Sequence, residues 1–180
     1  MQHANRSAVV RRHLRHRSGG SRWTVIRLAI TNDQAFLWEM LHAALYVPAG
    51  AVPLPKSIVQ EEPTIRRYAE DFGSWPGDLG FIAEDSSGAS IGAVWIRRFS
   101  AHARGFGYVD AETPELSIAV VSAHRGKGVG TALLREILQH CAGRVSLSCD
   151  PANPAWHLYE RCGFVAISER TMIAIGRATR

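Results

Sequence analysis

Residues 115–131 read ELSIAVVSAHRGKGVGT, and this stretch decides which fold the chain adopts. Its first seven residues are mostly apolar and β-branched, which predicts a strand. An apolar residue then recurs at every fourth position, which predicts a helix with its stripe at Val129, Leu133, Ile137 and Cys141. An arginine and three alternating glycines stand between the two elements. The stretch therefore predicts a strand that turns sharply into a helix.

The turn reads Arg125-x-x-Gly128-x-Gly130. Glycine lets the backbone approach a ligand closely, and the unpaired N–H groups of the first helical turn favour an anion. A Walker A loop ends in Gly-Lys-Ser/Thr, whereas Gly126-Lys127 opens this turn, and a Rossmann loop needs Gly-x-Gly-x-x-Gly. The turn predicts a pyrophosphate site that follows neither nucleotide pattern. A glycine-rich turn without a ligand is the alternative.

A second motif lies downstream, where residues 153–164 read NPAWHLYERCGF and fit the pattern A-x-x-L-Y-x-x-x-G-F. The two motifs, in this order and about 30 residues apart, resemble those of the GNAT acetyltransferases. The resemblance covers about residues 23–176 in the order of elements and about residues 113–166 in detail. It implies an acetyl-CoA-dependent N-acetyltransferase, an acyltransferase that moves an acetyl group to an amine of a small molecule or peptide by direct attack.

The resemblance also implies how acetyl-CoA is held. Main-chain groups of the strand would contact the pantetheine, at Ile118, Ala119 and Val120. Backbone amides of the turn would hold the pyrophosphate, at Arg125, Gly126, Lys127, Gly128, Val129, Gly130 and Thr131. Many members carry an asparagine seven residues before the motif tyrosine, but that position is Ala152 here. Asn153 either contacts the cofactor or caps its own helix.

Two residues are predicted to move protons. The resemblance implies that Tyr159 is the general acid beside the CoA sulfur. An amine with a pKa near ~10 must lose a proton before it attacks, and Glu115 at the head of the strand matches a glutamate often found there in the family. A structural acid at the strand end is the alternative for Glu115, and Glu112 and Asp110 are fallback bases. No metal is expected.

The predicted fold is α+β, with the element order β-α-α-β-β-β-α-β-α-β-β. It is the GNAT acyl-CoA N-acyltransferase fold, a mixed and mainly antiparallel sheet flanked by helices. The helix between strands 115–121 and 145–149 predicts that these two strands are parallel. By analogy to the family, the segment from Tyr46 to Pro55 and the helices around it are expected to select the acceptor.

The net charge of +5 comes from one end of the 180-residue chain. Six of the 21 Lys and Arg residues lie in residues 1–22, which contain no acid, so the other residues carry 15 basic against 16 acidic side chains. This predicts a disordered basic extension at 1–22 and a GNAT domain at 23–180. A transit peptide and a nucleic-acid arm are the alternatives for the extension.

The composition also limits partners and location. The sequence has no run of 18 or more apolar residues, which is the length needed to cross a membrane. Its odd number of cysteines argues against a disulfide framework. We therefore expect a cytoplasmic protein whose partners are acetyl-CoA and an amine-bearing acceptor. Nucleic acid is not expected as a partner, and a homodimer is left open. A non-catalytic acyl-CoA-binding sensor or regulatory module is the alternative function.

Overall fold

The computed structural model describes residues 25–178, so the predicted basic extension lies outside the described residues. The described residues contain these strands: β1 (Val25–Leu28), β2 (Leu79–Glu84), β3 (Ser90–Arg97), β4 (Glu115–Val120), β5 (Ala142–Ser148), β6 (Val165–Ala166) and β7 (Thr171–Arg177). The α-helices are α1 (Gln34–Ala44), α2 (Ile58–Glu61), α3 (Pro63–Arg66), α4 (Val129–His140) and α5 (Trp156–Arg161). None of these helices is long and apolar enough to cross a bilayer.

The seven strands form one sheet in the order β1-β2-β3-β4-β5-β7-β6. Only the central pair, β4 and β5, is parallel, because α4 carries the chain back across the sheet between them. The other neighbouring pairs are antiparallel. The predicted mixed, mainly antiparallel sheet flanked by helices is therefore confirmed.

The central pair is joined at one end only. Glu115 aligns with Ser146, whose N–H donates to the Pro114 carbonyl over 2.9 Å. Beyond this point β4 stays paired with β3 as far as Val120 but has no aligned partner in β5. The two strands therefore diverge, and the backbone of β4 is open on its β5 side near the carboxyl end of the strand.

Each face of the sheet is covered by helices. The α4 stripe predicted from the sequence is buried against one face, at Val129, Leu133, Ile137 and Cys141. On the other face α1 buries Leu37 and Met40 in a second cluster that contains Trp95. The opening between β4 and β5 therefore lies between two packed layers, which hold its walls in place.

The segment after α1 is less regular than the sequence suggests. The predicted element order has one helix between α1 and β2, whereas the structure has two short helices there, α2 and α3, followed by turns. Arg97 holds these turns on β3. Its buried guanidinium donates to both carboxylate oxygens of Asp78 over 2.7 and 2.9 Å and to the carbonyls of Arg67 and Glu70 over 2.7 Å.

Candidate active site

The open end of β4 presents backbone groups to the gap. The Val121 N–H donates to the Ile91 carbonyl of β3 over 2.9 Å. Because backbone polar groups alternate in direction along an antiparallel strand, those of Ala119 also point to β3, and those of Ile118 and Val120 point into the gap. The main-chain groups of Ala119 are thus directed to β3, so its predicted contact with the pantetheine is not supported, and its side chain is buried in the cluster that contains Trp95.

The turn after β4 leaves a row of unpaired donors. Gly126 and Gly128 adopt left-handed backbone angles, with φ of 71° and 83°, which only glycine tolerates easily. The first helical bond into this turn runs from the Ala132 N–H to the Gly128 carbonyl. None of the six N–H groups from Gly126 to Thr131 donates to an acceptor among the described residues. This row can bind an anion with several negative oxygens.

One groove of about 960 Å³ contains both the gap and the turn. It is lined by most of the residues that the sequence singled out: Ile118, Ala119, Val120, Arg125, Gly126, Gly128, Gly130, Thr131, Asn153 and Tyr159. Three predicted site residues do not line it, namely Glu115, Lys127 and Val129. The Val129 side chain is buried in the core, so only its backbone N–H is available to a ligand.

Arg125 is fixed at the mouth of this groove. Its Nε donates to the Val120 carbonyl over 3.0 Å, which directs the guanidinium along the end of β4. The Val120 carbonyl is therefore already engaged, and its N–H is the group left for a ligand. The other guanidinium nitrogens of Arg125 make no hydrogen bond within residues 25–178, so they can meet an anion at the same turn.

Tyr159 lies on α5 and faces the groove with little exposure. Its ring packs edge to face on Phe164, with 5.9 Å between the centroids. Burial raises the pKa of its phenol, and the nearby Cys149 thiol adds to the effect. Within residues 25–178 this hydroxyl has no hydrogen-bond partner, and it is not fully enclosed. It is therefore a protonated donor available to the groove.

Asn153 is not the N-cap of α5, which is Ala155, and its contact with the cofactor stays a prediction. Its side chain lines the groove, while its Oδ1 accepts from the Ala155 N–H over 2.9 Å, just before α5. The side-chain carbonyl therefore orders the start of the helix, and the amide nitrogen is the part left for a ligand.

Glu115 lies in a closed site instead. Its Oε1 accepts from the Tyr68 hydroxyl over 2.6 Å and from the Gly107 N–H over 2.7 Å, and its Oε2 is buried without a partner. Burial raises the pKa of this carboxyl to about 7, although the two hydrogen bonds act in the opposite direction. A Cβ on Gly105 would collide with Oε2. Segment 105–107 therefore covers Glu115, so direct contact with the acceptor is not supported, and the prediction that Glu115 acts as a base through water stays a prediction.

The two fallback bases, Asp110 and Glu112, also lie outside the groove. Asp110 accepts from the Thr113 N–H over 2.8 Å and pairs with Arg144 over 2.6 Å. Glu112 is exposed in the same loop. Neither carboxylate lines the groove.

The wall opposite the turn is formed by the segment after α1. His42, at the end of α1, has its Nε2 2.9 Å from the Leu54 carbonyl, and the Tyr46 hydroxyl donates to the Ala152 carbonyl over 3.2 Å. Tyr46 and Leu54 belong to the segment expected to select the acceptor, and both line the groove. His42, Leu158 and Arg161 also line it and were missed, because nothing in the local sequence separates them from ordinary helix residues.

Comparison with known proteins agrees with this geometry. Residues 46–164 match the Acetyltransferase (GNAT) family. This chain belongs to the GNAT family. The match spans both motifs and the wall that begins at Tyr46.

Individual relatives of this GNAT protein carry different acceptors in their names. Glucosamine 6-phosphate N-acetyltransferase 1 of Oryza sativa subsp. japonica is 29% identical over 119 residues, which are 62% of this chain and 67% of that protein. Spermidine/spermine N-acetyltransferase SpeG from Vibrio cholerae has a TM-score of 0.54 at 21% identity and covers 85% of this chain and 92% of its own. A GNAT acetyltransferase from Brucella melitensis in complex with acetyl-CoA has a TM-score of 0.54 at 22% identity, over 84% of this chain and 87% of that one. These structures share the fold.

Proposed function

We propose that this protein transfers the acetyl group of acetyl-CoA to a primary amine by direct attack, with no acyl-enzyme. One observation carries the proposal: the six consecutive N–H groups from Gly126 to Thr131, which have no acceptor within residues 25–178, adjoin a groove that Tyr159 also lines. The first half of this arrangement fits an anionic donor, and the second half fits a leaving group that needs a hydrogen-bond donor.

The donor fits the residues present. The N–H row of the turn would hold the pyrophosphate, with Arg125 as a nearby positive charge. The backbone groups of Ile118 and the Val120 N–H would pair with the pantetheine amides in the gap between β4 and β5. Acetyl-CoA supplies an activated thioester carbonyl when it is bound there.

The protein then has two tasks at the reacting atoms. The walls of the groove hold the neutral amine nitrogen against the carbonyl, so that a C–N bond forms while the C–S bond breaks. The proton that the nitrogen then loses passes to water and replaces the proton that Tyr159 gives to the sulfur. Tyr159 donates a hydrogen bond or its proton to the departing sulfur, since a thiolate is costly in a poorly solvated groove. A well-placed general acid contributes roughly 10²–10⁴ in rate.

Glu115 takes a positioning role in this proposal. Its carboxylate ties the Tyr68 hydroxyl and the Gly107 N–H to the first residue of β4. Segment 105–107 is thereby held over the joined end of the central strands, where a Cβ on Gly107 would come within 2.6 Å of the Leu147 carbonyl carbon of β5. A direct role for Glu115 as a base would require this segment to move.

The cysteines support a location in a reducing compartment. All three are free, and Cys141 and Cys149 are buried. Burial raises the pKa of each of these two thiols to about 11, which keeps them protonated and unreactive. A cytoplasmic location accordingly forms part of the proposal.

The test is an acetyl-CoA turnover screen against a panel of amines, with release of the CoA thiol as the signal. We expect thiol release that depends on both the amine and the enzyme, together with an acetylated amine in the mass spectrum. Tight binding of acetyl-CoA with no turnover on any amine would contradict the proposal and would indicate the alternative, a sensor of acyl-CoA.

A further inference from the structure

We propose that the acceptor is a primary amine of low basicity attached to an apolar body, as in an amino-acid amide, a peptide N-terminus or an arylamine. The inference rests on the proposed N-acetyl transfer and narrows its substrate class. It excludes polyamines and simple alkylamines as preferred acceptors.

The first observation is the charge of the groove. Its titratable lining side chains, over the described part of the chain, are His42, Tyr46, His124, Arg125, Tyr159 and Arg161. None of these is a carboxylate, and two are arginines. Arg125 lies at the turn proposed for the pyrophosphate, whose charge it meets. An alkylammonium ion that enters the rest of the groove loses hydration and gains no opposite charge from a lining side chain. The groove therefore favours an amine that is already neutral.

The second observation is that the neighbouring carboxylates are committed elsewhere. Glu160 on α5 accepts from Trp156 Nε1 over 3.0 Å and lies 3.1 Å from His157 Nδ1. Asp150, after β5, accepts from the Ala152 N–H over 2.9 Å and pairs with Arg170 over 3.2 Å. With Glu115 closed beneath segment 105–107, none of these acids is placed to hold an ammonium in the groove.

The third observation concerns the wall of the groove that is formed by the end of α1 and the segment after it. Its polar side chains, His42 and Tyr46, are both engaged with backbone carbonyls. The remaining wall residues that line the groove are apolar: Ala43, Ala44, Leu45, Val47, Pro53 and Leu54. Such a wall gains free energy mainly from apolar surface, at about 25 cal/mol per Å² buried. The acceptor should therefore present an apolar body to it.

The size of the basicity effect follows from ordinary pKa values. An alkylamine with a pKa of about 10.4 is only about one part in a thousand neutral near pH 7.5, whereas an α-amino group with a pKa of about 8 is about a quarter neutral. If the groove accepts only the neutral form, the concentration of usable acceptor differs between these two amines by about two orders of magnitude. Higher nucleophilicity of the more basic amine offsets only part of this.

The test compares amines that share an apolar body. L-Phenylalaninamide and 2-phenylethylamine have the same phenylethyl group, and the α-carboxamide of the former lowers its basicity. The pH dependence of their ratio separates basicity from recognition of the carboxamide, and 4-ethylaniline tests the arylamine source. Glycinamide keeps the low basicity without the apolar body, and spermidine adds positive charge. Each kcat/KM is measured by thiol release near pH 7.5 and near pH 9.5, on the full-length chain.

We expect phenylalaninamide to exceed 2-phenylethylamine by at least about tenfold near pH 7.5, with the ratio contracting near pH 9.5 as the alkylamine becomes neutral. Glycinamide and spermidine should both be poor acceptors. Turnover of 4-ethylaniline with none of phenylalaninamide assigns the arylamine source, and the reverse assigns the α-amine source.

A variant places the missing charge in the groove. Leu54→Glu should lower the preference for phenylalaninamide over 2-phenylethylamine by at least about threefold, because a carboxylate can hold the ammonium form. Leu54→Gln, of the same size and without charge, should leave the preference unchanged. An equal effect of both variants would overturn the electrostatic explanation.

Two outcomes separate this inference from the proposed function. Efficient turnover of spermidine or 2-phenylethylamine near pH 7.5, at or above that of phenylalaninamide, would overturn the inference and leave N-acetyl transfer intact. An absence of turnover on every amine of the panel, with acetyl-CoA still bound, would overturn both.

Discussion

The two ends of β4 are built in opposite ways. At its carboxyl end the strand opens into a groove, and six backbone N–H groups from Gly126 to Thr131 have no partner among the described residues. At its amino end Glu115 is buried, and Tyr68 and Gly107 both donate to it. The open end is made of backbone and the closed end of side chains from distant segments.

This difference separates binding from proton transfer. A groove made of backbone donors binds an anion whatever the neighbouring side chains are, provided that the glycines keep their left-handed angles. A buried carboxylate acts on a substrate only if its cover opens. The open end of β4 is therefore where we place the chemistry, and the closed end holds segment 105–107 in position.

The variant with the largest expected effect disrupts the open end of β4. Gly128→Glu places a side chain at a φ of 83° and a negative charge where the phosphates belong. We expect the affinity for CoA to fall by at least about a thousandfold, or about 4 kcal/mol, while circular dichroism stays native. Isothermal titration calorimetry measures the affinity.

Gly143→Glu is the matched control. Gly143 has a φ of 82°, and a Cβ added to it would meet no atom within 4 Å. It lies outside the groove. The same backbone cost and the same charge there should leave CoA affinity within about twofold of the wild type, a difference of only about 0.4 kcal/mol. If Gly128→Glu bound CoA as well as this control does, the turn would not be the pyrophosphate site.

The next effect concerns the hydroxyl that faces the groove. Tyr159→Phe keeps the ring packed on Phe164 and removes only the donor. We expect kcat to fall by one to three decades, roughly 1.4–4 kcal/mol, with the Kd for acetyl-CoA changed by less than about threefold.

Tyr108→Phe removes a hydroxyl outside the groove and should leave kcat unchanged. A Tyr159→Phe enzyme with the wild-type kcat across the whole pH range would show that Tyr159 is a packing residue and that water protonates the sulfur.

The closed end of β4 is tested by measuring both the free energy of unfolding and the rate of turnover. Burial raises the pKa of Glu115 from 4.5 to about 7 in the folded protein, so the folded state binds more protons than the unfolded state between these values. The free energy of unfolding should therefore fall as the pH rises through this window. Glu115→Gln removes the titration, and its stability relative to the wild type should improve by about 2 kcal/mol between pH 5 and pH 8.

The kinetic part of the same variant decides between its two roles. If Glu115 is a positioning residue, the pH profile of kcat/KM keeps its shape in Glu115→Gln. A loss confined to neutral pH, which disappears as the pH approaches the acceptor's own pKa, would restore Glu115 as the base. Glu112→Gln, in the neighbouring exposed loop, is the control and should change neither measurement.

The smallest effect concerns the predicted basic extension. A protein that starts at Ser21 should keep its Tm and its turnover, because the charge count assigns the excess of arginine to the first 22 residues and leaves the remainder nearly neutral. Differential scanning fluorimetry and the thiol assay check both. A loss of several degrees would show that the extension packs on the domain.

The sequence by itself determined the open end of the site. Local features are sufficient there: a β-branched run, glycines that accept left-handed angles, and an apolar stripe with a period of about four, which is buried as predicted. The motif A-x-x-L-Y-x-x-x-G-F also identified Tyr159, which the structure places on α5. The direction of the backbone groups within β4 was not readable from the sequence, since it depends on which neighbour each residue pairs with, and the structure directs those of Ala119 to β3.

Only the tertiary structure decided the rest. Glu115 looks like an accessible acid in the sequence, and it is closed because Tyr68 and segment 105–107 come from elsewhere in the chain to cover it. The apolar wall and the absence of carboxylates in the groove likewise depend on which side chains of α1, α5 and the segments around them turn inward. Spacing along a chain fixes backbone conformation, whereas charge and solvation at a site depend on the summed contribution of segments that are far apart in sequence.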